Sequence, residues 1–159
     1  MISLDLRGKV AIVTGAAQGL GRAIVQAYAQ AGMRIAMMDV RAEALAQAAD
    51  ELRAGGADCL AITVDLADAA AAQAAVERAL AHYGTPRVLV HNAALLVERS
   101  LLEIDLSAWQ KEVNIILQAA FILSKAVWPG MTDARDGSIV YLSSGSGIKG
   151  FVKEVAYCP

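Results

Sequence analysis

The run Val10-Ala11-Ile12-Val13-Thr14, followed by Gly15-Ala16-Ala17-Gln18-Gly19-Leu20-Gly21, constrains this chain more than any other. The first five residues read as a buried strand, rich in β-branched side chains and bounded by Gly8 and Gly15. The next seven open a helix inside a glycine-rich turn. Free backbone N–H groups and the positive end of a helix dipole then meet at one point, which suits a phosphate. Glycine permits the tight turn, the close approach of a phosphate, and close packing of helix on strand. Any βα turn favours glycine, so the triplet alone says little. With a strand legible before it and a helix after it, phosphate binding is the reading.

The rest of the chain repeats the alternation. Helical periodicity runs from Leu20 to about Ala31, closing at Gly32, and Arg34 to Asp39 is a second strand. Ala42 to Ala54 is a second helix, Cys59 to Val64 a third strand, and about Asp68 to Tyr83 a third helix. Val88 to His91 is a fourth strand. Ser107 is a candidate N-cap for a long helix reaching about Trp128, where Pro129-Gly130 is expected to end it, and Ser138 to Leu142 is a fifth strand. Strands alternating with helices of this length imply right-handed crossovers and an α/β, doubly wound parallel sheet. At 159 residues there is room for one domain, expected to span 1–159, with no repeat or linker inside it.

A net charge of −2 carries no polybasic signature, so neither nucleic acid nor an anionic membrane is expected as a partner. No stretch reads as a membrane span of roughly 20 apolar residues, and Asp5 and Arg7 interrupt the start where a signal peptide would be apolar. Cys59 and Cys158 lie far apart and belong to no metal-ligand cluster. Reduced thiols, no bound metal and a cytoplasmic location are the expectations.

Asp39 sits at the carboxyl end of the second strand, about 20 residues past the glycine loop, where an acid accepts hydrogen bonds from an adenosine ribose diol. A carboxylate there repels a 2′-phosphate, which favours NAD over NADP. Arg41 lies close enough to meet a phosphate and keeps NADP open as the lesser reading.

The spacing Thr14-Gly-x-x-x-Gly19-x-Gly21 resembles the short-chain dehydrogenase/reductase family, and later motifs fall in its order along the whole chain. The resemblance implies a Rossmann-type sheet in the order 3-2-1-4-5. It implies a dinucleotide held by Gly15, Gln18, Gly19, Leu20, Gly21 and Asp39, with Asp65 and Leu66 beside the adenine. His91-Asn92-Ala93-Ala94 stands where the family usually has Asn-Asn-Ala-Gly, so Asn92 and Ala93 are carried over as cofactor residues. His91 and Ala94 depart from the pattern. His91 reads as a packed or capping side chain at a strand end. Asn114 matches the asparagine that holds a water in a proton relay; otherwise it is an exposed polar position on a helix.

Strand five delivers Ser143-Ser144, and Tyr157 follows 13 residues after Ser144, which is the family's separation between catalytic serine and tyrosine. The implied chemistry is hydride exchange between NAD and a secondary alcohol or ketone. Tyr157 is the acid/base, Ser144 orients the substrate oxygen and Asn114 completes the relay. A free tyrosine titrates at about 10, too high for efficient base catalysis at neutral pH. A neighbouring cation is needed to favour the phenolate. The family supplies it from a lysine four residues after the tyrosine, here position 161, beyond Pro159. The expectation is a C-terminally incomplete domain of a longer enzyme, forming a homodimer or homotetramer. The alternatives are an NAD-binding module without catalysis, or a fragment with an exposed sheet edge. Glycine-loop methyltransferases also place an acid after strand two but leave Ser144 and Tyr157 unexplained. Substrate identity and reaction direction are not encoded in this part of the chain.

Overall fold

A computed structural model describes residues 5–157; Cys158 and Pro159, on which the disulfide and chain-end readings fall, lie outside it. Five strands alternate with helices: β1 (Val10–Thr14), α1 (Gly19–Gln30), β2 (Arg34–Asp39), α2 (Ala42–Ala54), β3 (Cys59–Thr63), α3 (Ala69–Tyr83) and β4 (Val88–His91). There follow α4 (Leu106–Val113), a π-helical turn (Asn114–Gln118), α5 (Ala119–Ala134), β5 (Ser138–Tyr141) and a 3₁₀ turn (Gly145–Gly147). The sheet order is β3-β2-β1-β4-β5 and every pairing is parallel, as expected.

Alternation along the strands builds two cores. Val10 and Ile12 of β1, with Met38, Ile62 and Leu89, face α3 and α5. Ala11 and Val13, with Ile35, Met37 and Val90, face α1 and α2. Both sheet faces are therefore covered, which is why β1 and β2 are almost uniformly apolar rather than alternating.

Two expectations about the long helix are corrected. Asp105, not Ser107, caps it: Asp105 Oδ1 accepts from the Ala108 amide at 2.8 Å and from the Ser107 hydroxyl at 2.6 Å. Nor does Pro129-Gly130 stop it, since α5 continues to Ala134 and ends at Arg135 in the left-handed region, φ 49°. Val127 and Met131, one turn apart across the proline, are both buried, and this packing carries the helix past the missing N–H. Gly130 answers a different need, because a Cβ there would lie 2.9 Å from Thr85 Cγ2. The continuous run from Leu106 to Ala134 is 29 residues and, by length and composition alone, apolar enough to cross a membrane. Its buried side chains Ala119, Leu123, Val127 and Met131 pack in the core beneath the sheet.

Candidate active site

Parallel strands bring their carboxyl ends to one edge, and the loops leaving β1 to β4 enclose a cleft of about 400 Å³ there. Gly15, Gln18, Gly19 and Leu20 line it from the β1–α1 turn, Asp39 from β2, Asp65 and Leu66 from after β3, Asn92 and Ala93 from after β4. Of the residues expected to hold a cofactor, Gly21 alone does not line the cleft. Its part is structural: a Cβ there would stand 2.6 Å from Asn92 Nδ2 and well inside the Gly15 carbonyl oxygen. Gly15 and Gly19 have φ of +65° and +54°, a region costly for side-chain-bearing residues. Gln18 makes no side-chain cap, which leaves the first amides of α1 available to an anion.

Asp39 is buried and already well partnered. Its Oδ2 accepts from the Ala17 amide at 3.0 Å and Arg41 Nη2 at 3.3 Å; its Oδ1 accepts from the Arg41 amide at 3.0 Å and Nε at 3.2 Å. Burial pushes this carboxyl up, but the Arg41 guanidinium and the amides of Arg41 and Ala17 outweigh it and hold it below the usual carboxylate range. The acid is therefore ionised, and its charge is largely matched by Arg41 before any ligand arrives. Asp65 is exposed and accepts from the Ala67 amide at 2.9 Å in an Asx turn.

Asn92 holds the glycine turn closed. Its side-chain amide donates to the carbonyls of Thr14 at 3.0 Å and Gly15 at 3.3 Å. Thr14, buried at the end of β1, accepts from the amides of Asn92 and Ala93, and His91 packs against it. His91 is thus the packed strand-end side chain that its position suggests. Thr14 joins the site as a framing residue, and a polar side chain at the end of a buried strand is its signal in the sequence. Sequence reasoning missed Lys111 and Ile115, which line the cleft from the helix beyond β4. Their i, i+4 spacing puts them on one face, but nothing local to that stretch marks the face as meeting the glycine loop.

The three expected catalytic residues do not line this cleft. Asn114 begins the π-turn, half-buried, with its side-chain amide donating to the Ala67 carbonyl at 3.1 Å and its Oδ1 accepting from Gln110 at 2.7 Å. Ser144 precedes the 3₁₀ turn and accepts from the Ser146 amide at 3.2 Å. Its hydroxyl donates to Ser146 Oγ at 3.3 Å, and Ser146, itself buried, donates to Glu154 Oε2 at 2.5 Å. Tyr157 follows in the same segment, its amide donating to the Glu154 carbonyl at 3.1 Å. A bridge between Arg99 and Glu154 ties this segment to the loop after β4. Ser144 and Tyr157 thus share one tethered segment. Ser146 and Glu154 are additions that the serine-rich sequence did not single out. Among the described residues, no cluster of His, Cys, Asp or Glu is placed to hold a metal.

Known proteins share both sequence and fold. A family model for short chain dehydrogenase matches residues 9–159. D-threitol dehydrogenase of Mycolicibacterium smegmatis is 37% identical over 159 residues, which is 99% of this chain and 61% of that protein. A short chain dehydrogenase/reductase of Macrophomina phaseolina, dpmpG, is 37% identical, over 93% of this chain and 87% of its own length. Among solved structures, a short chain dehydrogenase/reductase from Burkholderia phymatum in complex with NAD superposes with a TM-score of 0.92 at 29% identity, covering 98% of this chain and 56% of that one. A blue fluorescent protein from a metagenomic library, in complex with NADPH, gives 0.90 at 34% identity, over 98% and 64% of the two chains.

Proposed function

The chain belongs to the short chain dehydrogenase family, and from that premise we propose that it binds NAD in the cleft and that the protein it represents oxidises a secondary alcohol or reduces the matching ketone. The observation that carries the proposal is convergence. Residues far apart in sequence, from Gly15 to Ala93, meet on one cleft at the carboxyl edge of the sheet, around an uncapped helix N-terminus and a buried aspartate. These are the parts a dinucleotide requires. Bound there, the cofactor supplies the ring that gives or takes a hydride.

The chain's own residues do the remaining work. Tyr157 takes or returns the hydroxyl proton, and Ser144 orients the substrate oxygen by turning its hydroxyl away from Ser146. Asn114 holds a relay water once its side chain trades its bonds to Ala67 and Gln110. In this reading NAD is the preferred cofactor, with the Asp39 carboxylate receiving the ribose diol. Domain 1–159 is the nucleotide-binding unit of a cytoplasmic protein that assembles as a homodimer or homotetramer through the exposed apolar face of α5, where Phe121 and Trp128 lie. Polyols are the first substrates to try, since one relative is a D-threitol dehydrogenase.

One observation favours a second reading, that of a nucleotide-binding module without turnover: the cleft is complete without Ser144 and Tyr157. A third concerns the cofactor. Arg41 compensates Asp39, which lowers the electrostatic penalty on a 2′-phosphate. Titration with NAD and NADP, followed by an assay against a panel of polyols and ketones, separates these. Tyr157→Phe should lower turnover by about 100-fold or more while leaving NAD affinity unchanged. Unchanged turnover in that variant removes Tyr157 from the mechanism; tight NAD binding with no turnover on any substrate supports the module.

A further inference from the structure

His91 is buried at the carboxyl end of β4, and its two ring nitrogens reach two different parts of the cleft's frame. Nδ1 lies 3.0 Å from the Thr14 hydroxyl oxygen, one residue before the glycine loop. Nε2 lies 3.0 Å from the Ile115 carbonyl oxygen and 3.1 Å from that of Ile116, both in the π-turn. Donor counting fixes the direction of every bond. The Thr14 oxygen already accepts from Asn92 N–H at 3.1 Å and from Ala93 N–H at 3.0 Å. A hydroxyl oxygen has two lone pairs, so only its hydrogen remains for Nδ1. Nδ1 is then the bare nitrogen and Nε2 carries the proton, which is what two carbonyls require. Burial lowers the ring's pKa, against the opposing pull of those carbonyls, and this agrees with a neutral imidazole.

The ring meets the π-turn where its backbone pairing shifts. Ala119 N–H reaches back to the Asn114 carbonyl, five residues away, rather than to Ile115 as an α-helix would have it. The Ile115 carbonyl has thereby lost its helical partner, and His91 takes it. Ile115 itself lines the cleft, as does Gly15, next to Thr14. One imidazole therefore spans from the phosphate-loop wall to the helical wall.

We propose that His91 is a positioning residue that couples the two walls, so that the glycine loop and the helix face bearing Lys111 and Ile115 keep one spacing. Its bearing on cofactor affinity rests on the reading of the cleft as a nucleotide site. The coupling itself is testable without ligand. Hydrogen exchange on the 159-residue chain should show His91→Phe, which keeps the ring's bulk, speeding exchange by about tenfold both at 15–21 and at 114–119, as expected for loss of a net hydrogen bond. His91→Gln, whose amide can still donate to the carbonyls, should restore most of the protection at 114–119. Thr14→Val breaks the chain at its far end and should still loosen 114–119; it decides the matter if His91→Phe fails to fold. The imidazole ¹⁵N shifts of the parent protein should report a bare Nδ1.

Faster exchange confined to one wall in His91→Phe, an unaffected 114–119 segment in Thr14→Val, or a protonated Nδ1 would each overturn the coupling. NAD affinity should fall about tenfold in His91→Phe and much less in His91→Gln. A parent protein that binds neither NAD nor NADP refutes the nucleotide reading instead, while the exchange data still judge the coupling.

Discussion

Arg41 shows how a single residue can set the character of a site. Its Nε and Nη2 sit on the two oxygens of Asp39, the acid proposed to meet a ribose diol. Arg41→Gln should therefore free Asp39 and tighten NAD binding by about fivefold, since the solvent-open guanidinium of Arg41 holds the pair to about 1 kcal/mol. The same change should weaken NADP, and parallel titrations of the two cofactors check both signs. Glu112 makes a second case. It is fully buried, its Oε1 accepts from the Val97 amide at 2.9 Å, and its Oε2 has no hydrogen-bond partner among the described residues. Burial pushes its carboxyl above the usual range, partly opposed by that amide. A folded pKa above the unfolded one means the folded state holds its proton longer. Stability from this group is present at pH below the unfolded value and declines as pH rises through the folded one. Glu112→Gln keeps the acceptor and removes the ionisation. It should match the parent near pH 4 and exceed it by about 1–2 kcal/mol at pH 8 in denaturant titrations, a gain set by the cost of burying an unpartnered charge.

At the scale of elements, the β1–α1 turn has two glycines with opposite reasons for being glycine. Gly19 needs its positive φ but faces open space, so Gly19→Ala should cost about 1–2 kcal/mol of backbone strain. Gly21 has no space at all, because the backbone of Gly15 lies against it. Gly21→Ala must push helix from strand and should cost more than about 3 kcal/mol and abolish nucleotide binding, which thermal unfolding and cofactor titration would reveal. These contacts also explain what was readable in advance. β-branched runs such as Val10–Thr14 and glycines at helix ends announce themselves locally, so the strands and the glycine loop were legible in the chain itself, whereas the strand order and the cleft residues after β3 and β4 rested on the family resemblance. The π-turn was not legible, because the partner of its Ile115 carbonyl is His91, which lies far away in sequence. Asp105 and Ser107 are both good caps, and only the backbone decides between them. Pro129 is a helix breaker by propensity, overridden here by the buried pair Val127 and Met131.

Over the whole molecule, the interior strands carry the nucleotide cleft, whereas Ser144 and Tyr157 hang beyond β5. Among the described residues that strand pairs only with β4; it is largely exposed, and its last residue, Tyr141, and the following Leu142 are open to solvent. β1, by contrast, is buried from end to end. Local opening follows such differences in packing, and an outer strand with a looped extension opens at lower cost than a central one. The cleft and the proposed catalytic pair are therefore built on parts of unequal durability. On gentle warming, turnover in an active full-length protein should fade while NAD still binds, and the gap between the two midpoints, read by assay and by cofactor fluorescence, measures that inequality. Coincident midpoints would mean that the edge and the centre melt as one. A heat-damaged population of this protein would then be recognisable by what it retains: a molecule that still sequesters its nucleotide and has stopped using it.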